Sequence, residues 1–315
     1  MDKKIIAIIA LIVIIIVGAG AYFSLGGSNS SSNVVSIGYM PSDHHAALLI
    51  ANATNQFEDK GIKVNLVQFN NGGDLMAAMA SGDLDVGYVG ITPALSSIAK
   101  GVPVKVISSV QNEGSGIVVS NESKISDIAG LKGKQVATPG ASSIQYMLLL
   151  YALEKNGLKK EDLSISDMKV ASMVDALKTK KIDGIVSYEP YVTQPVETGI
   201  GKEIASSEDI LPGHPCCVIV AREDFIKNNE NQTKAILDIH ENATKYIKEN
   251  PEEAVKLLPS DLFKENIEKN AIKNIKFTSG IDDSYVNKVL DFMNIEIDMG
   301  LLKKPLTQAQ IFQKV

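Results

Sequence analysis

The chain has 315 residues, a net charge of -6, a hydrophobic fraction of 45% and an aromatic fraction of only 5%. This length fits one large domain or two domains of ordinary size. The acidic balance argues against nucleic acid as a partner, because neutralising phosphate groups needs clustered Lys and Arg side chains. Two cysteines are too few for a disulfide framework, and the absence of Trp disfavours an aromatic cage for a quaternary ammonium ligand.

Residues 1–33 are predicted to be a targeting segment. Two lysines precede an unbroken apolar run over residues 5–23, which is long enough to cross a hydrocarbon layer about 30 Å thick. The positive start predicts that the chain beyond the run lies outside the cytoplasm. Two outcomes remain open: residues 19–21 form a small-x-small cleavage site, whereas an uncleaved run would be a membrane anchor with residues 26–33 as its flexible tether. We therefore expect a membrane-anchored protein on the extracytoplasmic face, or a secreted or periplasmic one.

From Val34 onward, short apolar strands alternate with helical stretches, which predicts an α/β fold of mostly parallel sheets flanked by helices. The chain beyond Asp224 is expected to be largely helical. The predicted strands cover residues 34–39, 64–69, 86–89, 104–110, 116–120, 135–138, 167–170, 184–187 and 216–221. The predicted helices before Asp224 cover residues 43–59, 74–81, 93–100, 142–156 and 173–179.

Two segments share the same order of helix, turn, strand, loop and proline. The first covers residues 78–93 and the second residues 176–190, and the aspartates before their strands, Asp85 and Asp183, lie 98 positions apart. Their sequence identity is slight, but the shared order of elements predicts two similar α/β lobes.

Loops rich in Gly, Ser, Thr, Asn and Pro follow six predicted strands, over residues 39–45, 70–74, 90–93, 138–143, 171–173 and 188–191. Ligands of open α/β sheets bind at the carboxyl ends of the strands, where helix N-termini present unpaired N–H groups and a partial positive charge. Two facing lobes would therefore form a cleft for a small anion. In any one loop, the same residues could be plain helix N-caps. The candidate ligand contacts in these loops are Ser42, His44, Asn71, Gly72, Thr92, Ser142, Ser143 and Glu189.

One segment carries a family resemblance: GKQVATPGASS at residues 133–143 precedes an apolar helix that ends in EKNGL at 154–158. It resembles the substrate-binding proteins of ABC importers for sulfonates, nitrate, taurine and related compounds. Further matches in the same order are FEDKGIKV at 57–64, SGDLDVG at 81–87, EPY at 189–191, HPCCVIVAR at 214–222, NPEEA at 250–254 and GLL at 300–302. Together the order and spacing of these motifs identify the fold much better than the ligand.

The resemblance implies a two-lobed periplasmic-binding-protein-like fold of type II. Lobe one would comprise residues 34–111 and 218–315, and lobe two would comprise residues 112–217. The hinge would lie near residues 111–114 and 213–217, which makes Gln111 and His214 further candidate contacts. A ligand touches both lobes only in the closed form, and that form would be recognised by a membrane permease with its ATPase.

The histidines and cysteines are candidates for metal binding, ligand binding or catalysis. His44 and His45 are adjacent, so their rings point about 100° apart on a helix, and no metal site is predicted from them. Two alternatives remain: one histidine donates a hydrogen bond to a bound oxyanion, or the histidines have surface or capping roles. Cys216 and Cys217 are neighbours in a predicted strand, where successive side chains point to opposite faces. We therefore expect packed or reduced thiols rather than a vicinal disulfide, and no catalytic thiolate, because no group orients His214.

The resemblance also implies a role for Glu189, which follows a strand where these proteins often place ligand contacts. Glu189 could bind the amine of an amino-sulfonate while Ser142, Ser143 and the helix ends hold the sulfonate. Alternatively, Glu189 only starts a helix and interacts with its dipole.

These features predict the extracytoplasmic solute-binding component of an ABC importer, which binds a small oxyanion such as an alkanesulfonate or taurine. It is expected to perform no chemistry and to need no cofactor. One alternative ligand is a thiamine pyrimidine precursor, although such sites usually have more aromatic stacking. Another alternative is an enzyme like the pyrimidine synthases of thiamine biosynthesis, which resemble the family. Those enzymes are cytoplasmic and carry a Cys-rich motif, so the export segment and the presence of only two cysteines argue against this alternative.

Overall fold

The computed structural model describes residues 34–315, which fold into two mixed β-sheets flanked by helices. The predicted targeting segment, residues 1–33, lies outside the described residues. Within residues 34–315, no helix is both long enough and apolar enough to cross a bilayer.

The described chain contains eleven strands and fourteen α-helices. The strands are β1 (Val34–Tyr39), β2 (Lys63–Gln68), β3 (Val86–Gly90), β4 (Val104–Glu113), β5 (Ser115–Ser120), β6 (Gln135–Thr138), β7 (Ser164–Asp167), β8 (Gly184–Tyr188), β9 (Gly201–Ser206), β10 (Pro215–Arg222) and β11 (Ile275–Phe277). The helices are α1 (Ala46–Ala53), α2 (Gln56–Asp59), α3 (Gly72–Ser81), α4 (Ile91–Ala99), α5 (Ile144–Lys155), α6 (Val170–Lys178), α7 (Thr193–Glu197), α8 (Ser207–Ile210), α9 (Glu223–Asn228), α10 (Glu230–Glu249), α11 (Pro251–Lys256), α12 (Glu265–Ala271), α13 (Asp283–Asp298) and α14 (Gln308–Ile311).

The first sheet has six strands in the order β11-β4-β10-β3-β1-β2, and the second has five in the order β7-β6-β8-β5-β9. In the first sheet β1 pairs in parallel with β2 and β3, and in the second β6 pairs in parallel with β7 and β8. The remaining pairs, which involve β4, β5, β9, β10 and β11, are antiparallel. The α/β class is therefore confirmed, but the sheets are mixed rather than mostly parallel. The chain passes between the sheets twice, from β4 to β5 and from β9 to β10. The strands that follow these two passages, β5 and β10, run antiparallel to their neighbours.

The central strands β3 and β8 are buried along their whole length, as expected for strands covered by helices on both faces. Glycine lets helix α3 approach the first sheet closely. A Cβ at Gly87 would lie 2.7 Å from Leu75 Cδ2, and one at Gly38 would lie 2.5 Å from Leu84 Cδ1. A larger residue at either position would force these buried leucine side chains to move.

Helix α5 belongs to two hydrophobic cores. Its first turns, with Ile144, Met147 and Leu148, pack into the core of the six-stranded sheet. Leu149 and Leu153 of the same helix pack into a core of the five-stranded sheet. The beginning of α5 thus lies between the sheets. The predicted lobe boundaries remain a prediction, because residues 34–315 form one compact unit.

Three details of the predicted secondary structure are wrong. The strand predicted at residues 167–170 lies earlier, at Ser164–Asp167, and Val170 begins α6. The helix predicted at residues 43–59 is a 3₁₀ turn at Asp43–His45 followed by two α-helices. Strands β9 and β11 were missed because they are short edge strands whose polar residues hide the apolar pattern.

Candidate functional site

A cavity of about 40 Å³ lies where loops from both sheets meet. The loop after β1, the starts of α3 and α4, the start of α5 and the end of β8 line it, together with the beginning of β10. Its lining residues are Met40, Ser42, His44, His45, Asn71, Gly72, Gly90, Pro93, Pro139, Ser143, Ile144, Gln145, Tyr188, Cys216 and Cys217.

The structure brings together half of the contacts expected from the sequence. Those that line the cavity are Ser42, His44, Asn71, Gly72 and Ser143. Those that do not line it are Thr92, Gln111, Ser142, Glu189 and His214. Ser142 instead lines a neighbouring groove between the starts of α3 and α6.

The polar side chains at the starts of α3 and α5 serve as helix caps. Asn71 Oδ1 accepts a hydrogen bond from the Asp74 N–H at 2.9 Å. Ser143 Oγ accepts one from the Tyr146 N–H at 3.1 Å and donates one to the Gly140 carbonyl at 2.7 Å. The interpretation of these residues as N-caps is therefore correct. The N-terminal ends of α3 and α5, which carry a partial positive charge, therefore lie at the cavity. Helix α4 begins at the same cavity.

Glu189 is buried, and its carboxylate is used by neighbouring protein groups. It accepts hydrogen bonds from the Thr193 N–H and hydroxyl, each at 2.9 Å, and from Asn274 Nδ2 at 2.6 Å. Ser42 Oγ donates to the Glu189 peptide carbonyl at 2.8 Å. The expected contact of Glu189 with a solute amine is therefore not supported. The Glu189 carboxylate stabilises the start of α7 through Thr193 and links α7 to the segment before β11 through Asn274.

The remaining three expected contacts are buried outside the cavity lining. Thr92 and Gln111 have side-chain polar atoms with no hydrogen-bond partner among the described residues. His214 Nδ1 lies 3.3 Å from Glu113 Oε2, and both side chains are almost completely buried. Burial lowers the pKa of His214, but hydrogen bonds with Cys216 and Glu113 outweigh it and raise the pKa to about 9.

The Glu113 carboxylate also joins the two passages between the sheets. It accepts hydrogen bonds from the Ser207 hydroxyl at 2.6 Å and from the Gly213 N–H. Burial raises the pKa of Glu113, but its hydrogen bonds and the charge of His214 lower it overall. His214 is thus paired with Glu113, and this ion pair fixes the start of β10.

A buried cluster of His44, Cys216 and Cys217 forms one wall of the cavity, and the sequence analysis missed it. His44 Nδ1 lies 3.7 Å from Cys216 Sγ and 3.8 Å from Cys217 Sγ, and the two sulfurs are 4.0 Å apart. Both cysteines are free and buried, as expected. Burial raises the pKa of Cys216, but the hydrogen bond from Cys217 and the charge of His44 outweigh it, so that the pKa is well below 9.0.

A β-bulge explains why the two thiols face the same way. The pairing of β10 with β4 shifts register between Pro215 and Cys217 and again between Cys217 and Val218. A bulge turns consecutive side chains toward one side, whereas a regular strand alternates them. The expectation that Cys216 and Cys217 point to opposite faces is therefore wrong.

The Gly114 carbonyl holds His44 in place. It accepts a hydrogen bond from His44 Nε2 at 2.8 Å and a second from the Glu189 N–H at 2.9 Å. Gly114 has a φ of +82°, and a Cβ there would lie 2.6 Å from His44 Nε2. Glycine is required at this position because its φ is positive and because a Cβ would clash with the His44 ring. His45 diverges as predicted, and its Nδ1 accepts a hydrogen bond from the Met40 N–H at 3.1 Å.

Three buried carboxyl groups lie behind the loop that carries His44. Asp43 and Glu268 are close enough for each carboxyl group to perturb the pKa of the other, although neither Asp43 oxygen has a hydrogen-bond partner among the described residues. Burial raises the pKa of Glu268 to about 7, and burial together with the charge of Glu268 raises that of Asp43 well above its usual value. Burial and the charge of Asp43 also raise the pKa of Glu189 to about 7.

A model of the NMT1-like family matches residues 28–258. The chain belongs to the NMT1-like family. Its fold is that of the periplasmic binding proteins: the alkanesulfonate-binding protein from Xanthomonas axonopodis pv. citri bound to MOPS superposes with a TM-score of 0.80 at 19% identity, covering 89% of this chain and 98% of that one.

Two relatives of this NMT1-like protein have different functions. The taurine-binding periplasmic protein of Escherichia coli is 29% identical over 204 residues, which is 64% of this chain and 62% of the relative. A 4-amino-5-hydroxymethyl-2-methylpyrimidine phosphate synthase of Saccharomyces cerevisiae is 23% identical over 234 residues, or 70% of this chain and 68% of the relative.

The buried carboxyl cluster predicts a pH dependence of stability. The folded-state pKa of Glu268, about 7, lies above the ordinary value of 4.5, so the folded wild type binds more protons than the unfolded chain between these pH values. Its contribution to stability is present below pH 4.5 and is lost as the pH rises to 7. Glu268→Gln keeps the size of the side chain but removes the titrating carboxyl group. Relative to wild type, it should gain roughly 1–3 kcal/mol between pH 5 and pH 8.

Urea unfolding at pH 5 and pH 8 measures this difference. Glu252→Gln, at an exposed position on α11, is the control and should keep a constant difference from wild type. A Glu268→Gln difference that is equal at both pH values would show that Glu268 is ionised throughout.

Proposed function

We propose that this protein is the extracytoplasmic solute-binding component of an ABC importer, and that it binds a small oxyanion such as an alkanesulfonate or taurine. The observation that carries the proposal is the convergence of three helix N-termini, those of α3, α4 and α5, on one cavity lined from both sheets. Helix N-termini bind anions through free N–H groups and a partial positive charge.

The electrostatics of the cavity favour an anion despite the acidic chain. The described residues that line it include no Lys or Arg, so the attraction comes from the helix ends. These dipoles act on a bound anion at short range. The repulsion from distant acidic groups, which give the chain its net charge of -6, is screened by salt. The E. coli relative named for taurine supports a sulfonate as the oxyanion.

Contacts across the cavity support a binding mechanism based on closure. Ser42 and His44 follow β1 of the six-stranded sheet, and their partners are the carbonyl of Glu189 after β8 and that of Gly114 before β5. A solute held among these loops would touch groups from both sheets at once. It would therefore stabilise the closed arrangement over an open one, and a permease with its ATPase would recognise that arrangement.

We further propose that the protein binds its solute without transforming it. The yeast pyrimidine synthase is the relative that favours an enzyme. In the present site the side chains of Asn71 and Ser143 are occupied as helix caps, and Glu189 is occupied by Thr193 and Asn274. Residues 1–33 would export the protein and, if uncleaved, keep it beside the permease.

A thermal-shift screen tests the class of solute. The purified protein is heated with taurine, ethanesulfonate, nitrate, bicarbonate or a hydroxymethylpyrimidine. A solute at 100 times its Kd should add about 2.7 kcal/mol of stability. We expect a sulfonate to give the largest shift and to be recovered unchanged by mass spectrometry. A shift with the pyrimidine alone would contradict the oxyanion assignment, and turnover of any compound would contradict the binding-only assignment.

A pair of isosteric variants tests whether helix α5 supplies the anion site. Aspartate and asparagine both cap helices as well as serine does. Ser143→Asp should keep α5 capped but place a negative charge at the cavity, and should weaken sulfonate binding at least about tenfold, since like charges about 4 Å apart repel by about 1–4 kcal/mol. Ser143→Asn should stay within about threefold of wild type. Calorimetric titration of both variants measures the difference, and equal affinities would place the anion elsewhere.

A further inference from the structure

We propose that His44, Cys216 and Cys217 form a binding site for a thiophilic transition-metal ion of the zinc class. The ligand atoms are His44 Nδ1 and the two Sγ atoms, which all lie within 4.8 Å of one another. The site goes beyond the proposed solute-binding function and does not depend on it.

The triangle formed by these three atoms has the size that a zinc ion requires. An ion at its centre, about 2.3 Å from each sulfur and about 2.0–2.1 Å from the nitrogen, would separate the sulfurs by about 4.0 Å and each sulfur from the nitrogen by about 3.8 Å. The observed separations are 4.0 Å between the sulfurs and 3.7 and 3.8 Å from them to Nδ1. An ion displaced toward a fourth, tetrahedral ligand would shorten these distances by only about 0.2 Å. The ligand atoms therefore need almost no movement.

The histidine is oriented in the way that metal-binding histidines usually are. Such a residue donates its second ring N–H to a carboxylate or a backbone carbonyl, which leaves the other nitrogen free to bind the ion. His44 Nε2 makes this contact with the Gly114 carbonyl at 2.8 Å. Gly114 has no Cβ, which is what allows the ring to come so close. The lone pair of Nδ1 is consequently directed at the sulfurs.

The bulge in β10 is a second, independent observation. Two consecutive cysteines in a regular strand could not bind one ion, because their side chains would alternate between faces. The register shifts on either side of Cys217 bring both sulfurs to the cavity. Bulges interrupt strand pairing, and they are frequent where a strand must redirect a side chain next to a site.

The donor set selects the class of ion. Two thiolates and one imidazole favour zinc or monovalent copper over magnesium and calcium, which prefer oxygen ligands. Two thiolate charges also neutralise a divalent ion, which lowers the cost of burying it. All three side chains face the cavity of about 40 Å³, so the fourth coordination position opens into it. Three protein ligands with one open position is the pattern of zinc sites that bind a further small ligand.

Metal titration of the full-length, reduced and metal-stripped protein tests the site. Co²⁺ replaces zinc and reports thiolate ligation by a sulfur-to-cobalt charge-transfer band in the near ultraviolet. We expect one ion per chain, displaced by Zn²⁺. X-ray absorption of the zinc-loaded wild type should show two sulfurs at about 2.3 Å and one nitrogen at about 2.0–2.1 Å. This measurement needs no variant, so it decides the question even if substitutions prevent folding.

Variants assign the ligands. Cys216→Ser, Cys217→Ser and His44→Gln should each weaken Co²⁺ binding at least about 100-fold and remove or weaken the charge-transfer band, as loss of even an outer-shell partner costs about 10–100-fold. His240→Gln is the matched control, since His240 lies outside the cavity lining and its Nε2 donates to the Ser109 carbonyl at 3.0 Å; it should leave metal binding within about threefold of wild type. Absence of the band in wild type, or its persistence in both serine variants, would overturn the proposal in favour of a hydrogen-bonded histidine–thiol cluster.

The metal site and the solute site can fail separately. Sulfonate titrations on metal-stripped protein report solute binding alone, and Co²⁺ titrations without solute report the metal site alone. If Co²⁺ binds but no sulfonate does, the metal site stands and the proposed solute is wrong. The opposite result would retain the solute site and remove the metal.

Discussion

The passage from β4 to β5 at Glu113 and Gly114 is the constraint on which the rest of the site depends. Both residues have positive φ, 65° and 82°, so the chain turns there from one sheet into the other. The Gly114 carbonyl holds the His44 ring and the Glu189 N–H, and the Glu113 carboxylate holds Gly213 and His214 at the return passage. One dipeptide thereby fixes three of the walls of the cavity: the loop that carries His44, the end of β8 and the start of β10.

The cavity combines two kinds of chemistry that are usually found apart. Helix ends attract an anion, whereas a pair of thiols with an imidazole suits a cation. The two are compatible, because a divalent ion held by two thiolates is neutral overall yet keeps an open position that accepts an oxygen. A sulfonate oxygen could then meet helix N–H groups on one side and the ion on the other. A cavity of about 40 Å³ limits that ligand to a small group or to one end of a longer molecule.

The sequence predicted the fold better than the site, for physical reasons. Buried strands such as Val34–Tyr39 and Gln135–Thr138 are apolar runs between turn residues, so their bounds were predicted correctly. The rule that ligands bind at strand ends located Ser42, His44 and Ser143. The histidine–thiol cluster was missed, since His44 and Cys216 are 172 positions apart and a bulge leaves no mark in the pattern of residue types. The sequence left two roles open for Glu189, because a capping carboxylate and a binding carboxylate look alike in a sequence.

Helix α5 has a consequence for how such a protein would open. Its first turns belong to the core of one sheet and its later turns to a core of the other, and Ile144 Cδ1 lies 3.2 Å from where a Cβ of Gly90 would be. Separating the sheets would draw Ile144, Met147 and Leu148 out of the first core and into water. Opening would therefore lose several kcal/mol of hydrophobic stabilisation, because exposing each large apolar side chain costs about 1.5–3 kcal/mol. The apolar turns of α5 therefore favour the closed arrangement in addition to the contacts that a bound solute would make with both sheets.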